Sequence, residues 1–190
     1  MSEAKRILSE IQYPEKVYSR EKAIIHRKQH PFTKKKGVYA WYFKKTPHPN
    51  ISLDSCHSIT CQGQQYHLLY VGIAPHSDTS KQTLRKRIQT HYKRNIYGST
   101  LRRSLASLLK NELSLSTYRS GKRNRTKLYG DGEKKLSEWM CKNAYITWSY
   151  VEQPWLYEKE IIESLYLPIN LQYNQDGPFY NTLSKKRQEL

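Results

Sequence analysis

Acidic residues are scarce in this 190-residue chain, and their scarcity bears on what the protein binds. Asp and Glu together number 16 against 33 Lys and Arg, so the formal net charge is +17 at pH 7. Solubility alone requires a much smaller imbalance. A positive field over much of the surface attracts polyanions, and nucleic acid is the commonest of these. The composition therefore predicts a nucleic-acid partner.

Cysteine and long apolar runs are also largely missing. Cys56, Cys61 and Cys141 do not make a disulfide framework, which agrees with a reducing compartment. His57 and His67 lie near the first two cysteines, but the spacing matches no well-defined zinc site. No apolar stretch approaches the length that a bilayer requires, and the first residues are charged, unlike a signal sequence. We expect a cytoplasmic protein with no membrane partner.

Three stretches have the composition of β-strands, because aromatic and β-branched residues are dense in them. Helical patterns with apolar residues at buried spacing cover 81–94, 98–113 and the region around 135–143. An apolar content of 37% is sufficient for a core. The sequence predicts an α+β fold in one domain, residues 1–190, with three short strands covered by helices. The strands are "GVYAWYF" at 37–43, "YHLLYVGIA" at 66–74 and "AYITWSYV" at 144–151.

Four further segments lie before, between or after these elements. Residues 1–32 have apolar positions at helical spacing and predict a helical extension packed outside the core. Residues 44–65 are full of turn formers and predict a long loop. Residues 118–135 show no periodicity and many cations, which is typical of a flexible basic loop. The C-terminal tail, 176–190, is again basic.

One carboxylate in "WLYEKEIIESLYLPIN", 155–170, faces an unexpected direction. This stretch predicts a helix with Pro154 at its first position. At about 100° per residue, Glu158 lies inside the apolar arc of the helix, whereas Glu160 and Glu163 lie outside it. A carboxylate buried without a partner is costly, so Glu158 requires a cation, either an arginine or a metal ion.

Other chemically capable residues converge on the ends of the first two strands. Tyr39 stands near the start of one strand and Tyr70 near the end of the next, so antiparallel pairing would place both phenols at one end of the sheet. The following helix carries Arg87 and His91 four residues apart, beside its apolar strip. Taken alone, each of these residues has an ordinary structural explanation.

Taken together, "GVY", "YVG", the helix "LRKRIQTH" and a glutamate twelve residues before Asn170 resemble the GIY-YIG nuclease superfamily. The resemblance covers a core of about 33–175, and its details are similar to stand-alone bacterial members. It implies a small three-stranded antiparallel sheet flanked by helices, here with extra helices. It also implies an endonuclease that hydrolyses phosphodiester bonds at a single site with one divalent metal, usually Mg²⁺, for which Mn²⁺ can substitute.

The resemblance also implies a set of catalytic residues. Glu158 is the expected metal ligand, and Arg87 is expected to bind the phosphate and stabilise its developing charge. A tyrosine made more acidic by nearby cations is expected to take the proton of the attacking water, and the base can be either Tyr39 or Tyr70. His91 would orient the water or donate to phosphate. The full set is Tyr39, Tyr70, Arg87, His91, Glu158 and Asn170.

Two features depart from the family pattern. Ile73 follows the second motif, where many members carry a lysine or another polar residue, so one possible base-activating cation is missing. The separation of Tyr39 from Tyr70, 31 residues, is longer than usual. Neither departure affects Arg87 or Glu158.

Several runs of cations lie near the proposed site and predict phosphate contacts, which give affinity but little sequence information. DNA is the expected substrate. A nuclease acting on RNA and a non-catalytic nucleic-acid-binding module that retains the fold are the alternatives, and the chain can be a monomer or a homodimer. The predicted contacts are Lys34, Lys35, Lys36, Arg85, Lys93, Arg94, Arg102, Arg103, Lys122, Arg123, Arg125 and Lys127.

Overall fold

A computed structural model describes residues 2–25, 35–93 and 95–190 of the chain. The strands are β1 Gly37–Phe43, β2 Ser58–Cys61, β3 Gln64–Ala74, β4 Thr117–Ser120, β5 Arg125–Leu128 and β6 Ala144–Tyr150. A four-stranded antiparallel sheet lies at the centre, in the order β2-β3-β1-β6. Within the described ranges, no helix is both long enough and apolar enough to cross a membrane.

The α+β fold is confirmed, and all three predicted strands are present. The sheet has one strand more than expected, because β2 forms within the segment predicted as a loop. Two turn residues with positive φ, Gln62 at 52° and Gly63 at 74°, connect β2 directly to β3. Such a two-residue turn matches the twist of a hairpin. No apolar run signals this short edge strand, because its residues are only partly buried or exposed.

The central strand β1 is buried along its whole length, so both faces of the sheet require a cover. Tyr39, Trp41 and Phe43 belong to the larger apolar cluster, and Val38, Ala40 and Tyr42 belong to the second. Helix α1, Glu3–Gln12, contributes to the second cluster through Ile7 and Ile11, both fully buried. The prediction that the N-terminal helical segment lies outside the core is therefore wrong for α1.

The remaining helices lie around the sheet. They are α2 Arg20–Ile25, α3 Leu84–Lys93, α4 Thr100–Leu108, α5 Gly132–Asn143, α6 Glu158–Glu163 and α7 Tyr180–Gln188. The Ser99 side chain caps α4 by accepting from the Arg102 N–H. A 3₁₀ turn at Pro154–Leu156 precedes α6, which is shorter than the helix predicted to run from residue 155 into a turn at Pro168.

The segment predicted as a flexible basic loop and the basic tail both contain ordered elements. Residues 118–135 contain a hairpin of β4, Thr117–Ser120, and β5, Arg125–Leu128, followed by the start of α5. Alternate residues of β5, Thr126 and Leu128, are buried, so the hairpin has an inner face despite its charge. The basic tail forms α7, whose Leu183 is fully buried in the larger cluster.

Candidate active site

Sheet register brings the two motif tyrosines together. Tyr39 of β1 lies opposite Gly72 of β3, and Tyr70 lies opposite Trp41, so both phenols project from the same face. Their ring centroids are 6.5 Å apart with an angle of 30° between the planes. The geometry matches the expectation that both tyrosines share one end of the sheet.

The motif glycines have a steric role. A Cβ atom on Gly72 would lie 2.5 Å from the phenolic oxygen of Tyr39, which is closer than real Cβ contacts. A Cβ on Gly37 would lie 2.1 Å from the Ser149 carbonyl oxygen of the neighbouring strand. Glycine at these positions therefore lets the Tyr39 ring lie flat over β3 and lets β6 approach β1.

Helix α3 supplies two partners for the Tyr39 hydroxyl. The Arg87 Nε donates to this oxygen at 3.2 Å, and the His91 Nε2 lies 2.8 Å from it. The helix is fixed beside β1 by the buried side chains of Leu84 and Ile88, both in the larger cluster. The spacing of four residues between Arg87 and His91 thus places both beside one phenol.

The imidazole of His91 is fully buried and neutral. Burial lowers its pKa well below the usual range, and the charges of Arg87 and Arg102 lower the pKa further. Its Nδ1 lies 2.6 Å from the Ser99 Oγ, which also accepts from the Arg102 N–H at 3.1 Å. A neutral imidazole has one donor and one acceptor nitrogen. When Nδ1 donates to Ser99, Nε2 accepts from Tyr39, and when Ser99 donates to Nδ1, Nε2 donates to Tyr39.

The two tyrosines differ in environment. Tyr39 is fully buried, and this burial raises the pKa of its phenol, as does Tyr70, while Arg87 opposes the rise. The expectation of an acidified phenol is therefore wrong for Tyr39 at rest, because burial outweighs the nearby cation. Tyr70 retains 7% exposure, and its hydroxyl lies 3.0 Å from the Thr100 Oγ1.

Glu158 is the first residue of α6 and lies partly buried, whereas Glu160 and Glu163 are exposed. Burial raises the pKa of the Glu158 carboxyl, and Arg87 acts in the opposite direction. Across the described chain, no hydrogen bond or ion pair engages this carboxylate. The charge of Arg87 is close enough to influence Glu158 but leaves its oxygens available.

The available donors limit which metal could bind. The described residues contain no group of three or more His, Cys, Asp and Glu side chains suited to a metal ion. A single partly buried carboxylate fits Mg²⁺, because this ion retains several waters and is commonly held by one or two carboxylates with substrate phosphate. Glu158, with its unengaged oxygens, meets that requirement.

The side chain of Asn170 hydrogen-bonds the backbone of β3, the strand that carries Tyr70 and Gly72. Its Oδ1 accepts from the Val71 N–H at 3.0 Å, and its Nδ2 donates to the Val71 carbonyl at 2.8 Å. The side chain is buried, with 4% exposure. Both ends of the amide are thus occupied by the backbone of β3, midway between the two motif residues.

Ile73 is explained by the fold. It lies opposite Val38 and is buried in the second apolar cluster, on the face of the sheet away from the larger cluster that contains Tyr39. A charged side chain there would replace an apolar contact. Packing on that face therefore favours an apolar side chain over lysine at position 73.

The predicted phosphate contacts have different surroundings. Arg102 is fully buried and pairs with Glu133 at 2.6 Å, so its assignment to nucleic-acid binding is wrong. Lys36 pairs with Glu152 at 3.4 Å. Lys34 and Arg94 lie outside the described residues. The other predicted cations are exposed or partly exposed: Lys35, Arg85, Lys93, Arg103, Lys122, Arg123, Arg125 and Lys127.

Three residues near the site have no sequence signal that connects them with it. They are Ser99, which contacts His91, Thr100, which contacts Tyr70, and Arg187. Ser99 was recognisable only as a helix cap, and nothing local connects it with His91. The charge of Arg187 and the phenol of Tyr70 influence each other. This proximity depends on how α7 packs against the rest of the protein, and no sequence motif predicts that packing.

Comparison with protein families identifies one match. A family model described as the GIY-YIG catalytic domain matches residues 37–189, which extends beyond the expected core of 33–175 and includes α7. Neither the curated proteins nor the solved structures give a match. The model match covers more than half of the chain.

Proposed function

We propose, because this chain belongs to the GIY-YIG nuclease superfamily, that it is a metal-dependent endonuclease hydrolysing phosphodiester bonds in DNA. Nuclease activity is the general property of this family, and members generally use divalent metals. The observation that carries the proposal for this chain is the grouping around Arg87. Its guanidinium bonds the Tyr39 hydroxyl and lies within electrostatic reach of Glu158.

Glu158 would hold the metal, Mg²⁺ or Mn²⁺. When bound, such an ion neutralises charge on the scissile phosphate and assists the departing oxygen. Glu158 suits this role because its oxygens are partly buried and have no described hydrogen-bond or ion-pair partner. Burial also raises the pKa of its carboxyl, so a nearby cation would stabilise the charged form.

Arg87 would bind the phosphate. Its Nε donates to Tyr39 and its guanidinium also hydrogen-bonds Tyr70, and the remaining donors of this planar group would bind phosphate oxygens. The pKa of Arg87 is raised, first by Tyr39 and also by Tyr70, so this residue stays charged during the reaction. A fixed positive group beside the phosphate stabilises the charge that develops in the transition state.

Tyr39 would act as the base, with His91 as the proton acceptor. The raised pKa of Tyr39 disfavours a resting tyrosinate, so its proton has to move when water attacks. In the tautomer whose Nδ1 carries the hydrogen, the His91 Nε2 lies 2.8 Å from the phenolic oxygen and would receive this proton only transiently, because the lowered pKa of His91 disfavours a resting imidazolium. Tyr70, which is slightly exposed and bonded to Thr100, has no comparable acceptor and would contact water or phosphate.

The proposed activity is tested with supercoiled plasmid in Mg²⁺, in Mn²⁺ and in chelator. Wild-type protein should nick or linearise the plasmid only with metal, and Glu158→Ala and Arg87→Ala should each lose the activity. Glu160→Ala, on the exposed face of α6, is the matched control and should cut normally. Retardation of the plasmid without cleavage, equal in all variants, would instead indicate a binding scaffold.

Two further comparisons complete this test. Rates on matched DNA and RNA strands decide the substrate, and DNA is expected to be cut faster. Tyr39→Phe should lose cleavage by at least about 100-fold, as expected for loss of a general base, while Tyr70→Phe should lose less. The reverse order would assign the base to Tyr70.

A further inference from the structure

A cavity of about 220 Å³ lies between the β4–β5 hairpin and the turn before α4. Every charged side chain that lines it is an arginine: Arg103, Arg119, Arg123 and Arg125. The aromatic ring of Tyr97 forms part of the wall. A second cavity of about 360 Å³ adjoins it and shares Tyr97, Arg123 and Arg125. We call these two cavities together the hairpin cleft.

The arginines of the hairpin cleft have no acidic partner. In the part of the chain that the structure describes, none of the four forms an ion pair with a carboxylate. The Arg103 Nε is buried without a hydrogen-bond partner. Grouped guanidinium groups repel each other, and a buried donor without a partner is costly. An anion in the cleft would relieve both penalties, and phosphate matches the planar donors of arginine.

Part of the hairpin cleft is already arranged for binding. The Arg125 guanidinium lies over the Tyr97 ring at 4.0 Å from its centroid, and its NH1 donates to the Tyr97 hydroxyl. The Arg119 NH1 donates to the Asn124 carbonyl at 3.3 Å, which ties the turn of the hairpin to β4. Such contacts hold side chains in place before a ligand arrives, which reduces the entropy cost of binding.

The hairpin cleft connects with the catalytic residues. Tyr70 bonds Thr100 at 3.0 Å, and Arg103 lies one helical turn further along α4. Burial and the charge of Arg103 lower the pKa of Arg187, and the phenol of Tyr70 raises it, so Arg187 lies within electrostatic reach of both residues. The backbone of a nucleic-acid strand bound at the site would therefore pass Arg187 and Arg103 before it reaches the hairpin cleft.

Exposed aromatic rings accompany these cations. Tyr97 is 45% exposed, Tyr118 44% and Tyr129 69%, and all three lie on the hairpin or directly beside it. Duplex DNA hides its bases from such rings, because they are stacked on one another. Aromatic side chains beside a positive groove are typical of proteins that bind single strands, whose free bases stack on the rings.

We propose that the hairpin cleft binds an unpaired strand of the nucleic-acid substrate, with a backbone phosphate among the arginines and a base against the Tyr97–Arg125 pair. The proposal rests on the proposed nuclease function and defines its substrate class. The preferred substrate contains a single-stranded arm joined to a duplex. Cleavage takes place near the junction, while the hairpin cleft holds the arm.

Binding is measured first, with full-length protein in chelator so that no cleavage occurs. Labelled probes are a single strand, a continuous duplex and a duplex with a single-stranded arm, each as DNA and as RNA. Arg123→Ala, at the exposed tip of the hairpin, and Tyr97→Ala should each weaken binding to the single strand and armed duplex by about tenfold. Binding to the continuous duplex should change less than threefold.

Lys5→Ala is the matched control, because it removes one positive charge from the exposed surface of α1, outside the predicted contacts. Thermal unfolding checks that each variant is folded, and Tyr97→Phe, which retains the ring, should bind a single strand nearly as wild type. Equal losses on single strand and duplex, or losses no greater than those of Lys5→Ala, would overturn the proposal. Either result would mean that the cleft contributes only general attraction.

Cleavage separates this inference from the function on which it rests. With metal, Arg123→Ala and Tyr97→Ala should slow cleavage of the armed duplex about tenfold more than they slow cleavage of the supercoiled plasmid. If wild type cuts neither substrate while the binding differences persist, the nuclease function fails and the strand-binding cleft stands. If wild type cuts both and the variants are unaffected, the cleft proposal fails alone.

Discussion

At the scale of single residues, the contact between Gly72 and Tyr39 combines a backbone requirement with the chemistry of the site. The absent side chain of Gly72 creates the space for a phenol that is fully buried and bonded to two residues of α3. A glycine and a tyrosine near strand ends are each common. What distinguishes this pair is that strand register places one directly over the other.

We predict that Gly72→Ala displaces the Tyr39 hydroxyl. The new methyl group would lie 2.5 Å from this oxygen, so the ring has to move away from Arg87 and His91. Overpacking of this kind costs about 1–3 kcal/mol of unfolding free energy, and cleavage should fall at least tenfold because geometry is lost. Denaturant unfolding and plasmid cleavage measure the two effects.

Gly98→Ala is the control for this change. Its Cβ would meet only the Asn95 Oδ1 at 3.5 Å, an ordinary contact. This variant should retain activity and most of its stability. Wild-type cleavage in Gly72→Ala would show that Tyr39 does not need its observed position.

His91 makes a second prediction, on stability against pH. Its pKa in the folded protein is lowered by burial, whereas in the unfolded chain it is about 6.5. As pH falls below about 6.5, the unfolded chain binds a proton that the folded protein excludes, so stability falls by up to about 1.4 kcal/mol per pH unit. Above that pH both states are neutral, and the group has no effect.

His91→Gln should therefore show a shallower loss of unfolding free energy between pH 6.5 and the acid range. Burial also lowers the pKa of His48 and His67, so part of the wild-type slope remains. Urea unfolding across this pH range provides the measurement. His76→Gln, at an exposed position, should keep the wild-type slope, and identical slopes in both variants would contradict the prediction.

At the scale of elements, Arg102 joins three helices. From α4 it donates to the His91 carbonyl of α3 at 3.2 Å and to the Glu133 carbonyl of α5 at 3.1 Å. Its NH2 also pairs with the Glu133 carboxylate at 2.6 Å. The helix carrying His91 is thus connected to the helices behind it through one guanidinium.

We predict that Arg102→Met lowers the free energy of unfolding by about 3 kcal/mol, because it leaves Glu133 and two helix carbonyls without their donor. Denaturant unfolding measures the loss. Arg85→Met removes the same charge from a partly exposed position of α3 and should cost less than about 0.5 kcal/mol. Equal stability of the two variants would mean that the buried arginine is replaceable.

At the scale of the whole molecule, the net charge of +17 dominates how the protein meets its substrate. The described ion pairs engage a minority of the cations, so most of the positive charge is uncompensated. Counterions released from the phosphates on binding make affinity depend on salt. The field also accelerates association at low ionic strength.

We predict that binding to duplex DNA in chelator weakens steeply with salt. If about five phosphates are contacted, log K should fall against log salt with a slope near −4.5. Fluorescence anisotropy at several salt concentrations measures the slope. A strand with an uncharged backbone is the control and should show little dependence. A flat plot for DNA would contradict a binding mode based on phosphate contacts.

Part of this organisation could be predicted from the sequence because it depends on local patterns. The strands β1, β3 and β6 carry dense aromatic and β-branched residues, and a spacing of four residues places Arg87 and His91 on one side of a helix. The orientation of Glu158 follows in the same way from helical periodicity. These features require only neighbours along the chain.

The sequence by itself thus determined the main strands, the residues that meet around Arg87 and the excess of positive charge. Only the tertiary structure decided that Arg102 is buried while the adjacent Arg103 lines a cleft, because α5 brings Glu133 to the first alone. It also decided the neutral state of His91 and the pairing of β2 and the β4–β5 hairpin. Burial and strand pairing depend on segments that are distant in the chain. Local periodicity does not indicate which distant segment packs against a residue or pairs with a strand.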